Sequence, residues 1–226
     1  MKNKIWHFSD THTFHELLKE ESCDIAIFSG DCSIPRDRYE NKKEVLNFLD
    51  WYARVLSGYK IFVAGNHDVS VESGLITEAD FLDRDIIYLK DEEVIVKGLK
   101  IYGSPWTPTF GSGWAFNRSR DKISRNWEKI PEDVDIVVTH GPPKGILDLS
   151  YNRENILEFC GDLALKKRML HIQPKLVCFG HIHNCDNITN QGYTQLATHN
   201  TIYSNGSVVK DGRFGTLSGN GNLFEI

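Results

Sequence analysis

Five short apolar runs recur along the chain, and each stops abruptly at polar residues. The runs occupy residues 4–8, 24–29, 60–64, 135–139 and 176–179. Short runs without a polar face are typical of strands buried in a parallel sheet. Residues 41–57 instead carry apolar side chains at helical spacing, with a polar opposite face. Alternating strands and helices predict an α/β protein with parallel strands.

The rest of the chain has a less regular pattern. Strands are predicted at 86–89, 93–96 and 99–102, the last two joined as a hairpin at Lys97-Gly98. We predict a short helix within 13–21 and a longer one over 155–172, ending before Pro174. Short alternating runs after Asn184 predict hairpins that close a second sheet, with Asn205-Gly206 as one turn. The length of 226 residues, 40% of them hydrophobic, favours one domain over 1–226.

Metal-binding side chains follow directly after the five apolar runs. Because parallel strands end at one edge of a sheet, we expect these side chains to share a site there. Nitrogen and oxygen donors without thiolate favour Mn, Fe, Ni or Zn, and among these we favour Mn. The set is large enough for two divalent ions with one bridging carboxylate, an arrangement that activates water and clamps a phosphoryl group. The residues are Asp10, His12, Asp31, Asn66, His67, His140, His181 and His183.

The stretch Gly65-Asn66-His67-Asp68 is central to this expectation. Gly65 allows a sharp turn out of the sheet. Asn66 offers an oxygen donor, and His67 can give or take a proton near neutral pH. We expect Asp68 to orient the imidazole of His67 from behind. Alone, the same four residues are also compatible with an ordinary tight turn.

The blocks Asp10-x-His12, Gly30-Asp31, Gly65-Asn66-His67-Asp68, His140 and Gly180-His181-x-His183 together resemble the calcineurin-like binuclear metallophosphoesterase superfamily. The stretches 103–106, 114–117 and 139–143 look like its small branch, which is related to class III cyclic-nucleotide phosphodiesterases and includes animal metallophosphoesterase-domain proteins. The resemblance implies a four-layer αββα sandwich, in which two mixed sheets are flanked by helices.

The resemblance also implies a role for each matched residue. One metal ion would be held by Asp10, His12, Asp31 and His183. The other would be held by Asp31, Asn66, His140 and His181, so that Asp31 bridges the two ions. His67 would not bind metal but would assist the leaving group, with Asn66 and Asp68 beside it in the catalytic group.

A long aromatic loop, rich in Gly and Pro, spans 103–117. Trp106 and Asn117 are its candidate substrate-binding residues, although a packed cover for the sheet explains most of its rings more simply. His199 is a further candidate from the closing sheet region. His7 fits none of the blocks, and we expect it to be half-buried and hydrogen-bonded.

Net charge and hydropathy argue against two classes of partner, duplex nucleic acid and a membrane. A net charge of −5 argues against binding to duplex nucleic acid, and no apolar run is long enough to cross a membrane. The first residues lack the apolar stretch of a signal peptide.

Five cysteines without a C-x-x-C pair favour reduced thiols and a cytoplasmic location. Small members of the branch often form homodimers, which makes a homodimer a candidate assembly.

These observations predict a metal-dependent phosphodiesterase acting on nucleotide-type substrates, with cyclic nucleotides among the candidates. Its nucleophile would be a hydroxide activated by the two metal ions, with His67 assisting departure of the leaving group. Two alternatives stay open at this stage: a broad phosphomonoesterase, which would use the same site, and a non-catalytic scaffold on the same fold.

Overall fold

Two β-sheets stack face to face, and helices cover both outer surfaces. This computed structural model describes residues 2–34, 36–152, 154–197, 199–210 and 215–226. The strands are β1 (Lys4–Phe8), β2 (Cys23–Phe28), β3 (Ser57–Phe62), β4 (Ile86–Tyr88), β5 (Glu92–Val96), β6 (Leu99–Ser104), β7 (Thr107–Pro108), β8 (Asn117–Arg118), β9 (Ile136–Thr139), β10 (Leu149–Tyr151), β11 (Leu157–Phe159), β12 (Leu176–Phe179), β13 (Gly192–Gln195), β14 (Ile202–Asn205), β15 (Val209–Lys210), β16 (Thr216–Leu217) and β17 (Asn222–Glu225). A 3₁₀ turn covers Phe14–Leu17, and the helices are α1 (Arg38–Arg54), α2 (Val69–Glu72), α3 (Glu78–Leu82), α4 (Arg120–Trp127) and α5 (Leu163–Ile172).

Both sheets are mixed: their central strands are parallel, and the antiparallel pairs lie at their edges. The first has the order β17-β1-β2-β3-β4, in which only β17 is antiparallel to its neighbour. The second has the order β13-β14-β12-β9-β6-β5, with antiparallel pairs at both edges. This is the predicted αββα architecture.

Alternation along the strands divides the core into three layers. In β1, Trp6 and Phe8 face helix α1, whereas Ile5 faces the second sheet. In β9, Val137 faces α4 and α5 on the other side of the second sheet, while Ile136 faces the first sheet. Each fully buried side chain of this kind contributes roughly 1.5–3 kcal/mol through removal of apolar surface from water. The parallel strands are therefore buried on both faces, which explains their continuous apolar runs.

Helix α1 closes the outer face of the first sheet. The Asp37 carboxylate caps its start by accepting hydrogen bonds from the backbone of Tyr39 and Glu40. Phe48 packs on Phe28 with 4.3 Å between ring centroids. The Tyr52 hydroxyl lies within hydrogen-bonding distance of two carbonyls of the sheet. The predicted helix over 41–57 is confirmed, but it begins and ends three residues earlier than predicted, and residue 57 already belongs to β3.

The predicted helix over 155–172 is wrong in its first half. Strand β11 pairs there with β10, and the Asn152 side chain bonds the backbone of the connecting turn. The helix begins only after Asp162, whose carboxylate accepts from the Leu165 backbone. Helix α4 was not predicted, because half of its eight residues are charged and only Ile123, Asn126 and Trp127 are buried.

Asn205-Gly206 is not the hairpin turn that its sequence suggested. Gly206 donates its N–H to the Phe179 carbonyl and accepts from the Ser9 N–H, so it joins the ends of β12 and β1. His7 lies against this glycine and is fully buried, not half-buried as expected. It is hydrogen-bonded as predicted, because its ring nitrogens lie 2.7 Å from Ser204 Oγ and 2.9 Å from Ser29 Oγ.

The tail after Asn184 contributes to both sheets. β13 and β14 extend the second sheet, as predicted, but β17 returns to pair with β1 of the first. Within the part of the chain that the structure describes, none of the helices is long and apolar enough to cross a bilayer.

Candidate metal centre

The loops that follow β1, β2, β3, β9 and β12 meet at the carboxyl edge of the two sheets. They bring all the predicted metal ligands together. One group consists of Asp10, His12 and His183, and another of Asp31, His140 and His181, with the ligand atoms of each group within 4.8 Å of one another. Asp31 also groups with His12 and His67. Asp31 therefore lies between the two sets, which is the position of a bridging ligand.

Asn66 completes the second set. Its Oδ1 lies 3.0 Å from Nε2 of His140, and that same nitrogen lies 3.2 Å from Asp31 Oδ2. In the first set, His183 Nε2 lies 3.2 Å from Asp10 Oδ1. Oxygen and nitrogen donors thus converge on common points within each set.

Four of these ligands have a left-handed backbone, which is uncommon for residues other than glycine. The φ angles are 53° at Asp10, 39° at His12, 63° at Asp31 and 69° at His181. Such conformations cost about 1–3 kcal/mol each and persist where the surroundings impose them. The strand-end loops are therefore held in shapes that aim side chains into the cluster.

Backbone carbonyls fix the orientation of two ligand imidazoles. Nδ1 of His12 donates to the Ser33 carbonyl at 3.0 Å, and Nδ1 of His140 donates to the Ser29 carbonyl at 2.8 Å. With Nδ1–H committed, Nε2 is the nitrogen that faces the cluster. The tautomer needed for metal binding is thereby selected by the fold.

Burial and charge give the ligands unequal proton affinities. Burial lowers the pKa of His12 to about 4 and that of His181 to about 3, so both rings are neutral at pH 7. Burial alone would also lower the pKa of His140, but the Asp31 carboxylate outweighs it and raises that pKa to about 9. The same pairing holds the pKa of Asp31 well below its usual range, against the effect of burial.

This donor set fits two divalent cations. Two buried carboxylates, one amide oxygen and four imidazoles converge within a few ångströms, and thiolate is absent from the sets. In the absence of metal, the proton on His140 compensates the negative charge of Asp31. A cation bound at the same place would compensate that charge instead. Such ligands suit the borderline metals Mn, Fe, Ni and Zn.

Asp68 does not orient His67, contrary to the expectation from sequence. Its buried Oδ2 accepts from the backbone N–H groups of Gly65 (2.7 Å) and Asp31 (3.0 Å), and Oδ1 accepts from the Cys32 N–H (3.1 Å). The Cys32 thiol and the Ser33 hydroxyl also donate to Oδ1. The carboxylate therefore ties the Asp31 loop to the Asn66 loop, and it is a positioning residue.

His67 stands at the open side of the cluster. Its backbone N–H donates to Asp31 Oδ1 at 2.7 Å, and its ring Nδ1 donates to the Ile34 carbonyl at 3.2 Å. The Asn41 side chain holds the backbone of the same residue by donating to its carbonyl at 2.7 Å. The Ile34 carbonyl thus occupies the position beside the ring that the sequence assigned to Asp68. It engages Nδ1 of His67 and not Nε2.

Comparison with known proteins identifies this arrangement. The model of the calcineurin-like phosphoesterase family matches residues 3–185, most of the chain. The chain belongs to the calcineurin-like phosphoesterase family.

Named relatives agree with that assignment. The chain is 34% identical over 225 residues to metallophosphoesterase domain-containing protein 1 of Homo sapiens; the match covers 88% of this chain but only 64% of the relative. A UPF0046 protein of Caenorhabditis elegans is 33% identical over 205 residues, with 82% of this chain and 70% of the relative covered. The fold matches a phosphopantetheinyl hydrolase from Mycobacterium tuberculosis with a TM-score of 0.61 at 14% identity, covering 91% of this chain and 89% of that one.

The predicted substrate-binding residues agree less well with the structure than the predicted metal-binding residues do. The Trp106 indole donates to the Asp91 carboxylate at 3.1 Å, and Asn117 Nδ2 donates to Thr107 and Ala115, so both side chains serve the packing of the loop. His199 precedes β14, which starts beside Leu176. It therefore lies toward the amino edge of the second sheet, opposite the cluster, and not in the site.

Two other rings of the aromatic loop contact histidines of the cluster instead. Trp114 lies 4.6 Å from His67 and Phe110 lies 5.1 Å from His181, measured between ring centroids. The only sequence signal was their position in a loop too long to be a simple connection. Which rings of such a loop turn inward is decided by its hydrogen bonds, and these are not visible in the sequence.

Proposed function

We propose that this phosphoesterase is a phosphodiesterase that hydrolyses nucleotide-type phosphodiesters, cyclic nucleotides among them. The observation that carries the proposal is the pair of ligand sets that share Asp31, with His67 beside them. The substrate would be a small phosphorylated molecule, and two divalent cations, with Mn favoured, would be the cofactors.

Each side chain has a defined task in this proposal. Asp10, His12, Asp31 and His183 would hold one cation, and Asp31, Asn66, His140 and His181 the other. The cations would supply a water of lowered pKa and charge compensation for the phosphoryl oxygens. His67 donates a proton or hydrogen bond from Nε2 to the leaving oxygen, while the Ile34 carbonyl keeps its Nδ1 proton in place. Asp68 keeps the two ligand loops in register.

Substitution of His67 tests its role. We expect His67→Ala to retain bound metal but to lose roughly 10²–10⁴-fold in turnover, the usual contribution of positioned proton transfer. His171→Ala is a matched control, because His171 is 66% exposed on α5, where its ring lies 3.3 Å from the exposed Glu132 carboxylate. Metal content and kcat are measured together. An unchanged kcat in His67→Ala would refute the assigned role.

The reaction itself is tested with bis-p-nitrophenyl phosphate. Chelator-treated protein receives Mn²⁺ or Ni²⁺ and is compared with Asp31→Ala, which removes the shared ligand. Metal-dependent turnover that the substitution abolishes supports the dinuclear hydrolase, and 2′,3′- and 3′,5′-cyclic nucleotides are assayed next. Faster hydrolysis of p-nitrophenyl phosphate than of the diester would favour a phosphomonoesterase. Absence of both metal binding and turnover would indicate a scaffold.

Location and assembly belong to the same proposal. All five cysteines are free, which supports a reducing compartment such as the cytoplasm. We take residues 1–226 as one catalytic domain, with a homodimer as the candidate assembly. Sedimentation of the purified protein measures the oligomeric state directly.

A further inference from the structure

We propose that Phe110 and Trp114 form an aromatic platform that selects substrates whose phosphate carries a planar base. The inference rests on the proposed function, because it assigns the base-binding part of that same site. The two ring centroids lie 5.6 Å apart with an interplanar angle of 35°. One ring touches His67 and the other touches His181, so the pair spans the rim of the metal cluster.

The platform is anchored to the cluster through its backbone. The Ala115 N–H donates to the carbonyl of Asn66 at 3.0 Å, which ties the loop tip to a metal ligand. Below the tip, Thr107 and Thr109 donate to the carbonyls of Phe116 and Arg118 at 2.9 and 2.8 Å. The rings are therefore presented at a fixed distance from the phosphate position, and little ordering is needed when a substrate binds.

The other rings of the loop are already engaged. The Trp106 indole N–H donates to the Asp91 carboxylate, and Phe116 is fully buried. Phe110, by contrast, is 45% exposed beside the cluster. An exposed aromatic ring at the rim of a phosphate-binding centre can stack on any base, because every base has a π-face.

Arg36 completes the platform on the solvent side. Its guanidinium carbon lies 3.8 Å from the centre of the Trp114 ring, so a cation–π contact holds the indole in place. This residue belongs to the same loop as Ile34, whose carbonyl holds His67. A positive charge and the Trp114 ring therefore lie beside His67, and Phe110 continues the aromatic surface toward His181. That combination fits a nucleotide better than an alkyl phosphodiester.

The test compares two ligands that differ only in the base. Adenosine 5′-phosphate and ribose 5-phosphate are titrated into manganese-loaded protein by calorimetry, a readout independent of turnover. We expect the nucleotide to bind roughly 5- to 150-fold more tightly, the range for stacking of one base on an aromatic side chain. Trp114→Leu and Phe110→Leu should each remove most of that difference while leaving ribose 5-phosphate binding unchanged. Trp114→Phe should retain most of it.

Tyr193→Leu is the matched control, because Tyr193 is an exposed ring, 64% accessible, on the edge strand β13. Equal binding of the two ligands to the unsubstituted protein overturns the platform, even if the enzyme hydrolyses diesters. A preference for the nucleotide that survives both leucine substitutions also overturns it. Failure of the proposed function appears separately, as absent turnover with the base preference intact.

Discussion

Substitution of the Asp68 carboxylate should strongly affect stability and metal binding, although we assign it neither to the metal ions nor to the substrate. It is fully buried and accepts three backbone N–H groups, from Gly65, Asp31 and Cys32. We predict that Asp68→Asn lowers both stability and metal affinity. The amide keeps the shape of the side chain but replaces one acceptor oxygen by a donor that faces other donors.

The size of the effect follows from the hydrogen bonds. The most favourable amide orientation places its oxygen at the Oδ2 position, where it can still accept from Gly65 and Asp31. The Cys32 N–H then lacks its acceptor, and a buried unpaired donor costs about 1–3 kcal/mol. For a protein of this size, that lowers the midpoint of thermal unfolding by about 2–12 °C. Asp68→Ala strands all three N–H groups and is expected to cost roughly 3–9 kcal/mol, comparable with total domain stability.

The assay is thermal unfolding of the metal-free protein together with titration of Mn²⁺. Asp83→Asn serves as the control, since Asp83 is an exposed aspartate at the end of α3. A weaker Mn²⁺ affinity with a lowered midpoint would show that register between the two loops controls the shared ligand Asp31. An Asp68→Asn protein with the midpoint and affinity of the parent would refute this reasoning.

Two further predictions concern protonation and packing. The pKa of His140 is raised from 6.5 to about 9, so metal binding must displace a proton from this ring below pH 9. The affinity for Mn²⁺ should therefore rise about tenfold per pH unit between pH 7 and 9. An affinity independent of pH in this range would contradict the Asp31–His140 pairing. Gly206→Ala should destabilise the protein by about 1–3 kcal/mol, because its Cβ would lie 2.7 Å from the buried His7 ring. Gly219→Ala, whose Cβ meets only Gln191 at ordinary contact distance, should unfold like the parent.

The clustering of the candidate ligands could be predicted from the sequence, because each of them follows a buried strand. Five parallel strands that end at one edge leave little freedom for the residues immediately after them, and the structure brings Asp10, Asp31 and His140 together as expected. The sandwich was predictable for the same reason, together with the resemblance to a known family. Strand ends are fixed by the hydrophobic pattern, and that pattern is visible in the sequence.

Residues farther from the strands were predicted less well. Asp68 follows His67 in sequence, but the helical turn that starts at Val69 directs its carboxylate to the N–H groups of two loops. In the aromatic loop, the choice between Trp106 and Trp114 depends on an acceptor, Asp91, that lies fifteen residues before the first tryptophan. Hydrogen bonds between distant segments determine both outcomes, and sequence periodicity contains no information about them.

The connection made by Gly206 has a consequence for the order in which the site can form during synthesis of the chain. Every predicted metal donor has been synthesised by residue 183, yet the backbone that joins β1 to β12 beneath them comes from Gly206, more than twenty residues later. At ordinary translation rates of ~5–20 residues per second, that interval lasts roughly one to five seconds. During this time the nascent chain carries all of its ligands but lacks the hydrogen bonds that hold Ser9, next to Asp10, against the second sheet. Metal acquisition in the geometry described here therefore has to wait until Gly206 has been synthesised.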